Sequence, residues 1–269
     1  MRIFFYIIEE YKYTLKPLQI LHLKVKYIHS EVETIERVEI LKGLRAGKYK
    51  RISGGSMDIN LIDNKSEKIE LAKRILPFVK DGQVIGFGSG STSYLAGIEI
   101  GKMVKDKGIK IFAIPTSSYM ADVCNEYGID IAELHDGNLD WCFDGADEVD
   151  ANNNMIKGMG AMMFKEKLNI LNSKKTFILV DDTKFVDFLG ERHPVPIEVF
   201  PTSEEYVSER LRELGAIDIA FRGMTENYNS ILDVKFDKIY PSLEKDIKKI
   251  TGVIESGLFI GYDVEIIRK

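Results

Sequence analysis

The sequence predicts an α/β fold in which a parallel sheet has helices on both faces and is accompanied by a second, smaller α+β domain. Short apolar runs typical of buried strands alternate with segments of helical periodicity from residue 64 to about residue 180. A glycine-rich turn, "GFGSGST", joins the first of these strands to a helix. Beyond Pro194 the order becomes strand, helix, strand, helix, which indicates a separate unit.

Each element follows from its local pattern. The segment from Asn64, "NKSEKIELAKRILPFVKDG", carries a helical apolar stripe that we expect to stop near Asp81 and Gly82. The chain then continues with strand "QVIGF", helix "STSYLAGIEIGKMV", strand "IKIFAI", helix "SSYMADVCNEYG", strand end "WCFD", helix "AMMFKEKLNIL" and strand "KTFILV". The later unit is built from "PVPIEVF", "SEEYVSERLRELG", "SILDVKF" and "SLEKDIKKITG", and "IESGLFI" and "DVEIIR" follow it.

These patterns divide the chain into three parts. Residues 57–193 together with 253–269 form a Rossmann-like catalytic domain, with the final strands rejoining the first sheet. Residues 194–252 form the small α+β domain. Residues 1–56 are an extension, predicted to be poorly ordered or to result from a mis-assigned start.

Composition favours a small-molecule ligand in the cytoplasm. The formal charge of -5 over 269 residues predicts no nucleic acid and no membrane as a partner. Cys124 and Cys142 lie in no zinc or disulfide pattern, and the four histidines show no HxH or HExxH spacing, so we expect no metal. The opening "IFFYII" is too short for a membrane span and lacks a signal peptide's cleavage region.

The first 56 residues have a different charge balance, with 11 Lys and Arg against 6 Glu. Gly54 and Gly55, shortly before Met57, could be encoded by a ribosome-binding site translated in frame, so we expect Met57 to be the true start. The alternative is a genuine basic appendage with an amphipathic helix around "EVETIERVEILKGL". N-terminal sequencing of the native protein checks this, and a native terminus at Met1 would refute the expectation.

The turn "GFGSGSTSY" is a candidate anion cradle. Its glycines let the backbone approach a ligand, its hydroxyls can donate, and the helix that follows presents its positive N-terminal end, so phosphate is the natural ligand. A dinucleotide site would need an acidic residue at the end of the second strand, where this chain has "IPTSS". The alternatives are a tight turn without a ligand and, for "PTSS", ordinary helix capping.

The stretch "FDGADEVDANNNMIKGMGAMMFKEK" could hold a catalytic centre. Asp144 and Asp147 follow a short strand and can face one cavity, where Lys157 would keep both ionised. Glu166 lies on the next helix, where a partly desolvated carboxylate is a good general base. The alternative is a solvated charged loop before an amphipathic helix, in which Met162 and Met163 pack in the core.

In order along the chain, these segments resemble ribose-5-phosphate isomerase of type A. The resemblance runs from about Asn64 to the C-terminus through "GFGSGST", "PTSS", "FDGADEVD", "MIKGMGA", "KEK", "DDTK" and "HPVPIEVFP". It implies interconversion of ribose 5-phosphate and ribulose 5-phosphate without a cofactor, and a homodimer or homotetramer. It also implies substrate contacts from Ser89, Gly90, Ser91, Thr92, Asp144, Gly145, Ala146, Asp147, Lys157, Gly158, Met159, Gly160 and Lys184, with Lys68 a further cation for the phosphate.

The resemblance also implies catalytic roles. Asp144 would transfer protons during ring opening, Glu166 would move a proton from C2 to C1 through a cis-enediolate, and Lys157 would stabilise the negative oxygen while Asp147 positions hydroxyls. The chain departs from the family at Met159, where a glycine is usual, which could reduce activity or redirect it to a related sugar phosphate. A non-catalytic sugar-phosphate sensor is the main alternative, and an acyl-CoA transferase of similar architecture is a third interpretation.

Overall fold

The structure is a computed structural model that describes residues 57–135 and 137–269. The predictions made for residues 1–56 therefore lie outside the described residues. In the part of the chain that is described, no helix combines the length and the apolar character that crossing a bilayer requires.

The larger sheet has six strands, and all neighbouring strands in it are parallel. Its members are β1 (Val84–Phe87), β2 (Phe112–Pro115), β3 (Asp130–Ile131), β4 (Trp141–Asp144), β7 (Thr176–Val180) and β13 (Glu265–Arg268). Their order is β13-β7-β4-β1-β2-β3. The predicted parallel sheet is confirmed, and the last strand returns to it beside β7.

Four helices accompany this sheet: α1 (Lys65–Lys73), α2 (Ser91–Lys107), α3 (Ser118–Glu126) and α4 (Met163–Asn172). The prediction for α1 was wrong at its end, since the α-helix stops at Lys73 and a short 3-10 helix follows at Leu76–Phe78. Pro77 explains the difference, because it cannot donate a hydrogen bond to the carbonyl of Lys73 and disfavours helical backbone at the preceding residue.

A second sheet is antiparallel and has the order β11-β8-β10-β9. It contains β8 (Val195–Val199), β9 (Ala216–Met224), β10 (Ser230–Phe236) and β11 (Val253–Ser256), with helices α5 (Glu204–Glu213) and α6 (Leu243–Lys248) between its strands. A small antiparallel sheet joins β5 (Glu148–Val149), β6 (Met155–Ile156) and β12 (Leu258–Phe259). Strands β3, β5, β6 and β9 were not predicted, and the proposed domain boundaries remain a prediction. The remaining short 3-10 helices are Ile59–Leu61, Asp182–Lys184 and Pro201–Ser203.

The centre of the parallel sheet determines where a ligand can bind. Strand β1 pairs with β2 on one side and with β4 on the other. The connections therefore diverge at the carboxyl end of β1, which opens the crevice that is the usual ligand site in such sheets. Strand β4 ends at this edge with Asp144, and β7 ends nearby with Val180.

A buried ammonium group ties α4 to the chain between β11 and β12. Lys167 Nζ lies 2.6 Å from Glu244 Oε1 and 2.9 Å from Glu255 Oε1, and it donates to the carbonyls of Ser256 and Leu258 at 3.0 and 2.8 Å. The carbonyl of Gly257, between those two, accepts from the backbone N–H of Lys157 at 2.9 Å. One segment therefore binds both α4 and the backbone of Lys157.

Replacing this ammonium tests its contribution. We expect Lys167→Met to lower the free energy of unfolding by about 3–5 kcal/mol, because Glu244 would remain buried without its cation. Lys174→Met removes an ion pair with Asp140 in which the lysine is 67% exposed, and we expect it to cost less than about 1 kcal/mol. Urea unfolding of both variants is the measurement, and equal small losses would contradict the expectation.

Candidate active site

A cavity of about 120 Å³ opens at the carboxyl edge of the parallel sheet. All of the predicted site residues border it except Asp144. The lining residues are Lys68, Ser89, Gly90, Ser91, Thr92, Gly145, Ala146, Asp147, Lys157, Gly158, Met159, Gly160, Glu166, Leu179, Val180, Asp181 and Lys184. The structure thus brings together residues that are more than 110 positions apart in the chain.

A buried cluster of three charges adjoins this cavity, and two of its members, Lys157 and Glu166, line it. Lys157 Nζ is 2.9 Å from Asp144 Oδ2 and 3.1 Å from Glu166 Oε2, and the three side chains are only 3–6% exposed. The ammonium also donates to the carbonyl of Gly145. Burial alone would lower the pKa of Lys157, but the negative charges of Asp144 and Glu166 outweigh it and hold this pKa above its usual range. Lys157 is therefore a fixed positive charge at the cavity wall.

Glu166 has the properties of a general base. Burial raises the pKa of Glu166 to about 8, the charge of Asp144 adds to this effect, and Lys157 opposes it. Apart from its ion pair with Lys157, the buried Oε2 atom has no hydrogen-bond donor among the described residues. The first turn of α4 carries this carboxyl group, so a helix holds its position at the wall of the cavity. A base with a pKa near neutrality is well matched to proton transfer at physiological pH.

Asp144 lies behind Lys157 and not on the cavity surface. Its Oδ1 accepts from the backbone N–H groups of Ser89 and Gly145 at 3.2 and 2.8 Å and from Ser93 Oγ at 3.2 Å. Burial raises the pKa of Asp144, while Lys157 and these donors oppose the shift. With its oxygens occupied in this way, Asp144 places and balances the charge of Lys157.

The glycine turn approaches Asp144 closely, which explains one of its glycines. A Cβ atom at Gly88 would lie 2.3 Å from Asp144 Oδ1, so only glycine fits. The next residues border the cavity at the N-terminus of α2, where Lys68 Nζ donates to Ser91 Oγ at 2.9 Å. Together with Lys184, the lysine and the helix end make this side of the cavity suited to an anion.

Several supporting residues were not singled out from the sequence. Ser93 binds Asp144, the Tyr119 hydroxyl accepts from the Gly90 N–H at 2.7 Å, and Thr116 Oγ1 lies 2.6 Å from Ser89 Oγ. Thr116 was noted only as a part of "PTSS", where Ser117 caps α3 as the capping interpretation predicts. For Ser93 the row of hydroxyl residues after Gly90 was an available signal, whereas nothing local marks Tyr119.

The segment Gly158–Gly160 forms another part of the cavity wall. The Met159 N–H donates to Asp147 Oδ2 at 3.1 Å. Arg222, on β9, donates to the carbonyls of Gly158 and Met159 and lies 3.7 Å from Met159 Sδ. The methionine thus has specific contacts at the position where the family resemblance implies a glycine.

Comparison with known proteins agrees with this geometry. Residues 112–268 match the family model described as ribose 5-phosphate isomerase A (phosphoriboisomerase A). Ribose-5-phosphate isomerase A 1 of Oceanobacillus iheyensis is 39% identical over 215 residues, which cover 76% of this chain and 95% of that protein. Ribose-5-phosphate isomerase A of Methanocaldococcus jannaschii is 37% identical over 212 residues, covering 75% and 93%.

Solved structures give the same result. The structure of ribose 5-phosphate isomerase A from Methanocaldococcus jannaschii superposes with a TM-score of 0.72 at 35% identity, covering 77% of this chain and 95% of that one. A D-ribose-5-phosphate isomerase in complex with phospho-erythronic acid also has a TM-score of 0.72 at 35% identity, with coverages of 77% and 96%. The chain belongs to the ribose 5-phosphate isomerase A family.

Proposed function

We propose that this protein interconverts D-ribose 5-phosphate and D-ribulose 5-phosphate, a reaction of the non-oxidative branch of the pentose phosphate pathway. The observation that carries the proposal is the position of Glu166, a buried carboxyl group on a rigid helix, 3.1 Å from the ammonium of Lys157 at the wall of one cavity. An aldose-ketose isomerase needs this pair, a base for the carbon-bound proton and a cation for the oxygen that becomes negative.

The phosphate group is assigned to the side of the cavity formed by the glycine turn. Lys68, Ser91 and Lys184 line it, and the N-terminus of α2 adds its partial positive charge. This assignment leaves Lys157 and Glu166, which also line the cavity, to contact the sugar carbons. A related D-ribose-5-phosphate isomerase structure is in complex with phospho-erythronic acid, which supports a phosphorylated ligand for this cavity.

Ring opening needs a carboxylate that reaches the sugar. We assign this step to Asp147, because it borders the cavity, whereas the carboxylate of Asp144 is occupied by Lys157 and by three other donors. Asp147 would carry a proton from the anomeric hydroxyl to the ring oxygen and then hold the hydroxyls of the open chain. Asp144, for which the resemblance implies the ring-opening role, is reassigned to holding Lys157.

The isomerisation itself is a proton transfer between two carbons. Glu166 as carboxylate takes the proton from C2 of the open aldose, and the electron pair of that C–H bond forms the double bond of a cis-enediolate. The negative charge develops on oxygen beside Lys157, whose raised pKa keeps it cationic throughout. A proton passes from the C2 oxygen to the C1 oxygen, and Glu166 returns its proton to C1 to give the ketose.

Removing the base tests this mechanism. We expect Glu166→Gln to lower kcat by about 100-fold to 10,000-fold while largely keeping the affinity for ribose 5-phosphate. In the unchanged protein, kcat/KM should fall as the pH is lowered through the pKa of Glu166, about 8, because protonation removes the base. Ketose formation from ribose 5-phosphate, followed across pH, measures both effects, and near-normal turnover of the variant would refute the assignment.

The same assay separates the alternatives. Conversion of ribose 5-phosphate in the presence of EDTA is expected, since the proposed steps use only side chains of this chain. Tight binding without conversion would favour a sensor, and conversion of a related sugar phosphate alone would favour redirected specificity. The pairing of Glu166 with Lys157 at the cavity wall supports catalysis over sensing, because a receptor does not need a base beside a cation.

We also propose a homo-oligomer in the cytoplasm. Cys124 and Cys142 are buried free thiols, which suits a reducing compartment, and cell fractionation checks this. The edge strand β9 exposes Ile217 (69%), an apolar side chain of the kind that is covered by a second copy.

The molar mass of the protein, measured by light scattering as it elutes from a size-exclusion column, tests the oligomer. We expect a dimer or tetramer that Ile217→Lys shifts to a smaller species, because a charge on β9 opposes burial of this face. Phe188→Lys is the matched control, because Phe188 is 63% exposed and belongs to no strand. This variant should leave the mass unchanged. A monomeric unchanged protein would contradict the proposal.

A further inference from the structure

The guanidinium group of Arg222 connects the antiparallel sheet to the wall of the cavity. Its Nη2 atom donates to the carbonyl of Gly158 at 3.0 Å, and its Nη1 atom donates to the carbonyl of Met159. Nε lies 3.0 Å from Asp233 Oδ2 on the neighbouring strand β10, which orients the group from behind. Arg222 thus makes no contact with the three buried charges but holds two successive peptide groups beside them.

These contacts determine where the amide protons of the segment point. In a planar trans peptide the C=O and N–H bonds are antiparallel. With the Gly158 carbonyl turned to Arg222, the N–H of Met159 must point the opposite way, and it donates to Asp147 Oδ2 at 3.1 Å. Gly158 has φ +99°, a backbone conformation that side chains rarely adopt, so the glycine allows the turn that this arrangement needs.

A chain of contacts therefore runs from Asp233 through Arg222 and the 158–159 peptide to the carboxylate of Asp147. Asp147 borders the cavity and its charge interacts with that of Arg222. The Met159 thioether, 3.7 Å from Nη1, packs against the same group. Loss of Arg222 would free the peptide to rotate, and the Met159 N–H would then no longer fix the carboxylate.

We propose that Arg222 is a positioning residue of the isomerase, which acts on the substrate through the Met159 N–H and Asp147. The inference rests on the proposed function, since the role of Asp147 is to handle the sugar's ring and hydroxyl groups. It assigns Arg222 no contact with the substrate. A mainly structural role is the competing explanation that the experiment must separate.

A double-mutant cycle with Asp147 makes this separation. Arg222→Met should lower kcat/KM for ribose 5-phosphate about 10-fold to 100-fold, the size expected when a reacting group loses its alignment. In an Asp147→Asn background the same change should cost less than about 3-fold, because coupled residues are not additive. Arg210→Met is the matched control and should leave kcat/KM unchanged, because Arg210 is a partly exposed residue of α5 that pairs with Glu213 and does not line the cavity.

Other outcomes overturn the proposal. An equal loss in both backgrounds would show that Arg222 does not act through Asp147, and a lowered melting temperature with unchanged kcat/KM would show a purely structural role. If Arg222→Met does not fold, because Asp233 is left unpaired, Arg222→Met/Asp233→Asn takes its place in the cycle, with Asp233→Asn alone as its reference. If the unchanged protein lacks turnover, the proposed function fails, and the same cycle measured as the Kd for ribose 5-phosphate still tests Arg222.

Discussion

The ammonium of Lys157 between the carboxyl groups of Asp144 and Glu166 is the interaction on which the remainder of the site depends. Two carboxylates within contact of one cation in a buried position are costly unless the cation stays charged and the other oxygens find donors. The donors come from Ser89, Ser93 and Gly145 and all serve Asp144. Because Asp144 receives these donors and Glu166 does not, Glu166 is the carboxyl group that can gain and lose a proton. The number of hydrogen-bond donors around each carboxylate therefore separates the base, Glu166, from the residue that holds Lys157, Asp144.

The sequence could predict the parallel sheet and many of the site residues because both are marked by residue patterns within short segments of the chain. Apolar runs and a glycine turn mark β1 and α2, and the spacing from Asp144 through Lys157 to Glu166 marks the charged residues. The end of α1 was mispredicted because the apolar stripe continues past Lys73, while Pro77 breaks the hydrogen-bond pattern before the stripe ends. Strand β9 was missed although Ile217, Ile219 and Phe221 recur every second residue, and the structure leaves Ile217 largely exposed instead of packing it in a core.

Arg222 shows the limit of such reasoning most clearly. Its partners are backbone carbonyls more than 60 positions away, and a carbonyl is present at every residue, so no residue type marks the contact. Asp144 presents the opposite case, since it was expected to face the cavity together with Asp147, whereas in the structure only Asp147 lines the cavity. Whether a carboxylate at a strand end faces the ligand or the protein depends on the neighbouring glycine turn, which comes from another part of the chain.

The contacts of residues 256–258 have a consequence for how the protein is made. Asp144, Lys157 and Glu166 leave the ribosome long before Gly257, yet the backbone of Lys157 and the ammonium of Lys167 both bind this late segment. A nascent chain that has not reached residue 256 therefore carries every proposed catalytic side chain without the contacts that fix their separation. The proposed catalytic side chains therefore depend on a segment that is synthesised about 90 residues after Glu166, and until β13 is made the earlier part of the chain has a sheet edge open beside β7.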